Sequence, residues 1–599
     1  MIGTKPILRR NRPTRVPPVA SFLMSVLVLT LGFYFVYPIL LIAINSFNLT
    51  PSIVQPPTWG LDNWRVAFQT RDLFEALWNT IYIFVISTAL TFPLAVFIAW
   101  ALARVRMPFS YGLEFLFWVA YMVPGISITV GWILLADPDL GFINRALRLL
   151  PFIDEGVFNI FSVKGIIWAH VMGRGIASQV MLLTPAFRNM DVTLEEAARM
   201  SGASNMATMM RVTMPVMLPP LVVVFALRVT HVFDSFETEQ LLGVPFGFFV
   251  YSTKIFELAR QVPPQYGQAT ALASITLAVV ALIIPFQRWL LHRRAHTTVT
   301  GQFKPGRIDL GVWGKVIFWG ILLILFVKII APVLSLLLGS VMFRAGIFAL
   351  DHPYTLDHWR LVLTDGLFRQ SVRNTFFLAT TAAIVSPILF SIIGYIIVRT
   401  KWSGRILLDS VIWISAAIPG MLSGLGLLWM FVGTPVLHLV YGTLVPLIIV
   451  VIIQGNTTGT QLSKAVFLQM GADMEEQARV SGAGWTRTYL RVWLPLIAPT
   501  LILLATLNFV MAATTTSSII LLADRGTMTM SILALEFASP EIGMREEAGI
   551  VSLFIMLMAV SVALVARGFG LRVGIRERPY AAPRAGLRTA ASPSRLTRR

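Results

Sequence analysis

Four ionisable residues recur at intervals of three along one apolar stretch of the chain. Arg228, His231, Asp234 and Glu237 all lie within residues 215–242. Side chains three apart on a helix are neighbours, so such a row could contact a polar solute. Burying an ionisable group in an apolar segment is costly, and the row is therefore a candidate functional site.

A second apolar stretch, 280 residues later, carries neutral polar residues at equivalent positions: Asn508, Thr514 and Ser517. Carboxylates on one wall and hydroxyls on the other would supply hard oxygen ligands suited to a hard cation. A structural interpretation stays open, in which the charged row pairs internally or with Arg174 to orient helices. A continuous helix from Pro215, rising about 1.5 Å per residue, would place Glu237 and Glu239 at the outer mouth.

A polar segment between apolar stretches also occurs twice, at residues 195–203 and 475–483. Both copies begin with two glutamates and continue to a Ser-Gly-Ala sequence. We predict a short amphipathic helix in each copy, with Ala and Met facing the membrane domain and Glu and Arg facing water. Gly202 and Gly482 would end these helices, and Pro215 and Pro495 would restart the chain as membrane spans.

A further repeat relates residues 61–80 to residues 356–375, both ending in Asn-Thr. Together the repeats divide the chain into two tandem halves. An even number of spans per half makes both halves enter the membrane in the same direction, so the repeat is parallel.

Composition supports a membrane protein. Of 599 residues, 56% are hydrophobic and 13% are charged, against about 25% charged in soluble domains. The absence of cysteine excludes disulfides and thiolate sites. Twelve apolar runs are long enough to span a bilayer: 20–46, 77–102, 112–136, 163–187, 215–242, 268–291, 312–339, 374–398, 407–431, 444–467, 495–522 and 550–566.

Most Lys and Arg residues fall on the side of the membrane that holds both termini, which predicts that both are cytoplasmic. This distribution explains the net charge of +19 without nucleic acid. We predict five regions: a basic arm (1–19), a first half (20–291), a cytoplasmic linker (292–311), a second half (312–570) and a basic, disordered tail (571–599).

The duplicated loops resemble a known family. Glu196-Ala197-Ala198, then Gly202 and Val212-Thr213-Met214-Pro215, is similar to the EAA loop of ABC importer permeases, and residues 476–495 form a second copy. Gln477 and Met214 are mild departures from that pattern. The resemblance implies an all-α polytopic fold of the type I importer permeases, with about 12 helices in two parallel six-helix halves, located in a bacterial inner membrane.

In that family the loop docks into an ATPase subunit, so two loops imply two ATPase copies and a periplasmic or lipid-anchored substrate-binding protein as partners. The implied coupling residues are Glu195, Glu196, Ala198, Arg199, Gly202, Pro215, Glu475, Glu476, Ala478, Arg479, Gly482 and Pro495. The candidate pathway residues, which come from the polar residues within apolar runs and not from the resemblance, are Arg174, Arg228, His231, Asp234, Glu237, Asn508, Thr514 and Ser517. No Gly-x-x-x-x-Gly-Lys-Ser/Thr sequence occurs, so we expect a transport subunit without catalytic residues, with ATP and Mg²⁺ on the partner and no cofactor or metal bound by this chain.

Residues 233–237 and 243–256, with Thr514 to Ser518, resemble the fused iron(III)-type permeases within this family. Iron(III) is therefore the expected solute, and thiamine, phosphonate or polyamine are alternatives for the same machine. A secondary transporter driven by an ion gradient through Asp234 and His231 is the alternative from another class. A membrane enzyme is disfavoured because no metal-ligand spacing such as His-Glu-x-x-His is present.

Overall fold

The computed structural model describes residues 18–50, 56–151, 156–191, 193–294, 306–348, 350–415, 418–471 and 473–572. Within these ranges the chain is helical and contains no strand, only three isolated bridges. Most of the predicted basic arm, linker and tail lies outside the described residues. The five predicted region boundaries therefore stay predictions.

The first part of the chain forms fifteen helices. They are α1 (Pro18–Asn45), α2 (Asp62–Gln69), α3 (Arg71–Arg104), α4 (Ser110–Met122), α5 (Gly125–Ala136), α6 (Phe142–Leu147), α7 (Val163–Met172), α8 (Arg174–Arg188), α9 (Thr193–Met200), α10 (Asn205–Thr208), α11 (Met214–Val216), α12 (Leu218–Thr230), α13 (Glu237–Leu242), α14 (Tyr251–Arg260) and α15 (Tyr266–Arg294).

The second part forms thirteen more. They are α16 (Val312–Leu325), α17 (Ala331–Ser340), α18 (Asp357–Thr364), α19 (Gly366–Arg399), α20 (Arg405–Ser415), α21 (Gly420–Gly433), α22 (Pro435–His438), α23 (Val445–Gln469), α24 (Asp473–Val480), α25 (Trp485–Thr488), α26 (Leu494–Thr514), α27 (Met530–Ala538) and α28 (Arg545–Arg572). Turns of π-helix cover Met209–Thr213, Phe326–Ile330 and Tyr489–Trp493.

The predicted all-α membrane fold is confirmed. Among the described residues, eight helices are long and apolar enough to cross a membrane, or up to eleven if each of three bent pairs counts as one span. The pair α4 and α5, for example, bends by 94°. The predicted span 268–291 falls on α15 (Tyr266–Arg294). About twelve spans is thus consistent with the structure.

The first membrane helix of each half packs against helices of the other half. Helix α1 packs against α20 and α21, and α17 packs against α5. The contacts are equivalent, because Pro38 lies against Gly426 and Pro332 lies against Gly131. A Cβ on Gly131 would stand 2.9 Å from the Pro332 carbonyl oxygen, and one on Gly426 would stand 2.9 Å from that of Pro38. Glycine is required at both crossings because the backbones touch.

The repeated Asn-Thr pairs serve one structural purpose in both halves. The Thr80 hydroxyl accepts a 2.8 Å hydrogen bond from the backbone N–H of Tyr251, at the start of α14. The Thr375 hydroxyl accepts the same bond, also 2.8 Å, from Met530 at the start of α27. These threonines satisfy N–H groups at the ends of helices that begin inside the bundle.

The first turn of α28 connects several loops. Arg545 forms a 2.6 Å ion pair with Asp137, which joins the two halves. His358 bonds to Glu547 at 2.7 Å through Nδ1 and to the Phe343 carbonyl oxygen at 3.1 Å through Nε2. Both partners are acceptors, so the protonated ring, which donates from both nitrogens, fits best.

Burial alone would lower the pKa of His358. The hydrogen bonds to Glu547 and to the Phe343 carbonyl, together with the charges of Glu547 and Glu546, outweigh burial and raise the pKa overall. The protonated form is therefore favoured in the folded chain.

We predict that Gly131→Leu and Gly426→Leu each destabilise the chain by at least the cost of overpacking, about 1–3 kcal/mol, because the added side chain meets backbone atoms. Thermal unfolding of the purified full-length chain measures this. Gly32→Leu is the matched control, since a Cβ there has no neighbour within 4 Å. Equal unfolding midpoints for all three variants would contradict the crossing.

Stability should also depend on pH through His358. The raised pKa makes its stabilisation complete below the ordinary histidine value of about 6.5 and removes it as pH rises through the raised value. We expect the unfolding midpoint of the full chain to fall above about pH 6.5, and to fall less in His358→Gln. The exposed His438→Gln should keep the wild-type slope. Identical slopes for wild type and His358→Gln would disprove this role.

Candidate functional site

The two duplicated loops contain the short helices α9 and α24, each closed by a left-handed glycine. Gly202 has φ +86° and Gly482 has φ +76°. Backbone bonds of 3.0 Å from Ala203 to Ala198 and from Ala483 to Ala478 close the turns. Only glycine adopts this conformation without strain, which explains the residue type at both turns.

The orientation of these helices differs from the sequence prediction. Glu195 is completely buried, whereas Met200 is 90% exposed and Val480 is 89% exposed. The expectation that Met faces the membrane domain and Glu faces water is therefore wrong for these residues. The cause is a buried cation far away in sequence, which draws Glu195 inward.

That cation is Arg104, the last residue of α3. Its Nη2 donates to Glu195 Oε2 at 2.5 Å, and its Nη1 donates to the Met190 carbonyl oxygen at 3.2 Å. The Thr213 hydroxyl donates to Glu195 Oε1 at 2.7 Å. Arg104 is 1% exposed, so this is a fully buried ion pair that joins the loop helix to a long span.

The second loop is anchored by different chemistry. The Tyr395 hydroxyl donates to Glu475 Oε1 at 2.9 Å. Arg399, which corresponds to Arg104, instead donates to the carbonyl oxygens of Phe467 and Met470 at 2.8 and 2.6 Å. Its guanidinium also lies 5.0 Å from the ring centre of Trp493. The two loops thus share a backbone conformation, and their glutamates are held by different groups: a guanidinium donates to Glu195 and a phenol hydroxyl donates to Glu475.

The remaining loop residues lie around these anchors. Glu196, Ala198 and Arg199 are half-buried, and the Arg199 Nε donates to the Glu195 carbonyl oxygen at 3.3 Å. Glu476 is exposed and Ala478 is half-buried. The side chain of Arg479 lies outside the described part of the chain.

The two prolines do not restart the chain as predicted. Helices α10 and α25 begin ten residues earlier, and Pro215 and Pro495 follow π-helical turns inside continuing helical segments. Proline lacks an N–H and clashes with the carbonyl four residues before it. A π-helical turn before the proline accommodates this mismatch.

The charged row also departs from the prediction. Helix α12 ends at Thr230, residues 231–236 are not helical, and Glu237 begins α13. The row therefore does not lie on one helix, and the depth calculated from a continuous helix is wrong. Asp234 Oδ1 accepts a 3.1 Å bond from the backbone N–H of Gly420, at the start of α21 in the other half. This contact across the halves holds the chain out of helix.

The structure nevertheless gathers much of the row around one cavity of about 220 Å³. Six predicted pathway residues line it: Arg174, Arg228, His231, Asp234, Glu237 and Thr514. Asn508 and Ser517 are not in this lining. Asn508 is buried and donates to the Leu504 carbonyl oxygen at 2.8 Å. Helix α26 ends at Thr514, so Ser517 is not on the predicted helical row.

Internal pairing accounts for part of the row, as the structural interpretation expected. His231 Nδ1 and Asp234 Oδ2 are 2.6 Å apart. Arg174 does not pair with this row by hydrogen bond; it donates to the Val123 carbonyl oxygen at 3.1 Å and to the Thr514 hydroxyl at 2.9 Å. Arg174 therefore joins α8 to α26 of the other half.

Three residues that sequence reasoning did not assign to the site also contribute. His170 Nε2 lies 2.6 Å from Glu239 Oε1, and both residues line the cavity. Glu239 is completely buried, and its expected place at an outer mouth stays a prediction. Lys328 donates to the carbonyl oxygens of Met172 and Gly173. A lysine within an apolar run was a visible signal for this contact.

The described ranges contain no group of three or more His, Asp or Glu residues arranged to hold a metal ion. Two of the oxygen-bearing side chains predicted to suit a hard cation make separate hydrogen bonds instead: Asp234 accepts one from the Gly420 N–H, and the Thr514 hydroxyl accepts one from Arg174. The cavity is therefore a polar, mixed-charge site.

We predict that Glu195→Gln costs about 3–5 kcal/mol, because it leaves the buried Arg104 guanidinium without its counter-charge. Glu475→Gln keeps an acceptor for the Tyr395 hydroxyl and should cost less, about 1 kcal/mol. Thermal unfolding of the two full-length variants compares these costs directly. Equal losses would mean that the two anchors are energetically equivalent.

Known proteins resemble this chain across both halves. Residues 387–572 match the family described as "Binding-protein-dependent transport system inner membrane component". The "Ferric transport system permease protein FbpB" of Actinobacillus pleuropneumoniae is 26% identical over 381 residues, which is 62% of this chain and 54% of that protein. The chain thus spans about half the length of that relative.

Two other relatives differ in size and name. The "Probable ABC transporter permease protein y4fN" of Sinorhizobium fredii is 27% identical over 455 residues, covering 74% of this chain and 78% of that protein. The "Probable starch degradation products transport system permease protein AmyC" of Thermoanaerobacterium thermosulfurigenes is 23% identical over 287 residues, covering 47% of this chain and 96% of that protein. Residues 387–572 are therefore similar to the membrane components of binding-protein-dependent transport systems, and the chain resembles permeases of the ferric type.

Proposed function

We propose that this chain is the membrane permease of an ABC importer, and that a binding protein delivers its solute from outside the cell. The observation that carries the proposal is the pair of loops α9 and α24, each with a large apolar side chain presented outward. Met200 and Val480 are nearly fully exposed, although each is the last residue of a helix whose first glutamate is buried. Exposed apolar side chains clustered on a loop are typical of a docking surface.

Two such surfaces would receive two copies of a cytoplasmic ATPase subunit. Met206 and Trp485, just after each glycine turn, are 67% and 49% exposed and extend the apolar surfaces. ATP and Mg²⁺ would bind the partner, and this chain would hydrolyse nothing. The orientation follows from this assignment: the loops and both termini lie in the cytoplasm, and the chain resides in a bacterial inner membrane.

Coupling would act through the buried anchors behind each loop. Glu195 is bonded to Arg104 at the end of α3, and Tyr395 near the end of α19 is bonded to Glu475. Movement of a docked ATPase would therefore displace a long span in each half. Such displacement biases one of two conformations, which is what alternating access needs.

The solute would cross near the cavity that contains Arg174, Arg228 and Asp234. This cavity lies where α8 approaches α26 and where Asp234 meets α21, so it adjoins the contact between the halves. We propose iron(III) as the solute, on the resemblance to ferric permeases. Thiamine, phosphonate and polyamine are the alternatives for the same machine, and a relative named for starch products keeps the choice open to experiment.

The docking surfaces can be tested by substitution. Met200→Glu and Val480→Glu place a charge on each apolar surface, and we expect each to reduce ATPase co-purification and uptake at least tenfold. Leu149→Glu is the matched control, because Leu149 is 86% exposed but lies after α6, away from both loops. Mass spectrometry of the tagged chain purified from its native membrane identifies the partner.

Undiminished ATPase co-purification in both loop variants would contradict these surfaces. Uptake driven by an ion gradient alone, with no ATPase attached, would instead favour the secondary transporter that uses Asp234 and His231.

A further inference from the structure

The start of α4 lies where two membrane spans begin or end. Gly314 is in the first turn of the span that starts with α16, and a Cβ there would stand 2.9 Å from the carbonyl oxygen of Arg106, in the loop before α4. Arg567 is in the last turn of the span Arg545–Gly568, and it lies over the ring of Phe115 in the second turn of α4. The ends of these three helices therefore meet at one boundary between lipid and water.

This boundary is on the same side of the membrane as the first duplicated loop. Arg104, which binds Glu195 of that loop, is only two residues before Arg106. The backbone N–H of Arg106 donates to the Ile308 carbonyl oxygen at 2.9 Å, and the N–H of Ile308 donates to the Arg104 carbonyl oxygen at 2.6 Å. The segment that leads into α16 is thereby fixed against the end of α3, which places Arg307 beside α4.

Guanidinium groups from three elements converge on one face of α4. Tyr111 and Phe115 form that face, because they lie one helical turn apart. The Arg307 guanidinium carbon lies 5.1 Å from the ring centre of Tyr111, and that of Arg188, the last residue of α8, lies 5.4 Å from the same centre. The Arg567 guanidinium carbon lies 4.2 Å from the ring centre of Phe115. Cation–π contacts thus hold three positive charges near one another, although like charges repel.

Nearby carboxylates offset only part of this charge. The ion pairs of this surface are Arg188 with Glu114 at 2.5 Å and the exposed pair of Arg106 with Asp309 at 3.5 Å. Within the described ranges, neither Arg307 nor Arg567 forms an ion pair. Arg307 donates instead to the Ser110 hydroxyl at 3.2 Å. Two guanidinium groups held over rings therefore keep their charge available to an anion.

Exposed aromatic side chains lie beside these cations. Phe109 is 68% exposed, Trp313 is 69% exposed and Tyr111 is 54% exposed. Trp and Tyr concentrate at membrane–water interfaces, where their rings lie at the level of the lipid headgroups. A soluble anion would use the cations but not the exposed rings. The combination of both favours a lipid, whose headgroup and acyl chains meet at this depth.

The second half lacks this surface. In the repeat that relates residues 61–80 to residues 356–375, the residues equivalent to Tyr111 and Phe115 are Ile406 and Ser410. Arg405 is exposed beside them and donates to a backbone carbonyl oxygen at 3.0 Å. Among the described residues, no aromatic ring lies under its guanidinium. The first half alone therefore presents guanidinium groups held over rings at this place.

We propose that the face of α4 with Arg188, Arg307 and Arg567 binds the phosphate headgroup of an anionic phospholipid. Guanidinium groups donate paired N–H bonds to phosphate oxygens, and basic pockets between membrane helices bind acidic headgroups. The acyl chains would lie along the apolar spans that end here. This inference rests on the proposed function for one point, the assignment of this boundary to the cytoplasmic leaflet.

Lipid binding can be measured on the full-length chain without any partner protein. The chain is freed of lipid in a neutral detergent and titrated with phosphatidylglycerol, or with phosphatidylcholine of the same acyl chains, and native mass spectrometry counts the bound lipid. We expect phosphatidylglycerol to bind more tightly. Arg307→Gln and Arg567→Gln should each weaken its binding about fivefold, the contribution of one basic residue near an acidic lipid surface.

Arg405→Gln is the matched control, because it removes an exposed arginine from the equivalent place in the second half and should leave binding unchanged. Tyr111→Leu removes a ring without changing charge and should also weaken binding, so it serves where an arginine variant does not fold. Equal binding of the two lipids, or wild-type affinity in Arg307→Gln and Arg567→Gln, would overturn the proposal. An equal loss in Arg405→Gln would also overturn it, because net charge alone would then explain the binding.

Two further outcomes would contradict a lipid site by assigning the surface to another ligand. Displacement of phosphatidylglycerol by inorganic phosphate, but not by chloride at equal ionic strength, would indicate a site for a soluble anion. Loss of ATPase co-purification in Arg307→Gln, with no preference between the lipids, would assign the surface to the ATPase. Failure of lipid binding with an ATPase still attached at α9 and α24 would leave the proposed function intact. Lipid binding without any ATPase would remove the importer assignment but not the lipid site.

Discussion

The structure depends on one constraint: where a helix breaks inside a membrane, its freed backbone groups need partners within the protein. The chain meets this constraint residue by residue. The Lys328 ammonium donates hydrogen bonds to the carbonyl oxygens at the end of α7. The hydroxyls of Thr80 and Thr375 accept hydrogen bonds from the first N–H groups of α14 and α27. The Asp234 carboxylate accepts one from the first N–H group of α21. Breaks of this kind place polar groups around the cavity in the interior of the bundle.

Several of these partners come from the opposite half. Lys328 reaches α7, Asp234 reaches α21, and Arg174 reaches Thr514. The crossings at Gly131 and Gly426 exchange the first helices of the two halves as well. The halves are therefore not independent domains placed side by side, and a change at one loop can reach the other half through buried contacts.

The two halves share backbone features, such as turns and helix starts, more closely than they share charged side chains. The glycine turns, π-helical turns and Asn-Thr pairs recur in both halves, because each solves a local backbone problem. In the first half Glu195 is bonded to Arg104, whereas in the second half the equivalent Glu475 accepts a hydrogen bond from Tyr395. The charged row from Arg228 to Glu237 likewise has neutral residues at the equivalent positions: Asn508, Met511, Thr514 and Ser517.

Much of the architecture could be read from the sequence, and the failures share a cause. Apolar runs predicted the helices, and the repeats predicted the paired loops, since both depend on neighbouring residues. The burial of Glu195 depends on Arg104, 91 residues earlier, and no local periodicity carries that information. The row from Arg228 to Glu237 had helical spacing, but a contact with Gly420 in the other half interrupts the helix.

We propose that each chain docks two ATPase subunits on the loops that contain Glu195 and Glu475. The most direct measurement is the mass of the intact complex, released gently from its native membrane and analysed by native mass spectrometry. We expect one copy of this chain with two copies of an ATPase. A chain that emerges alone, and transports its solute on an ion gradient, would contradict it.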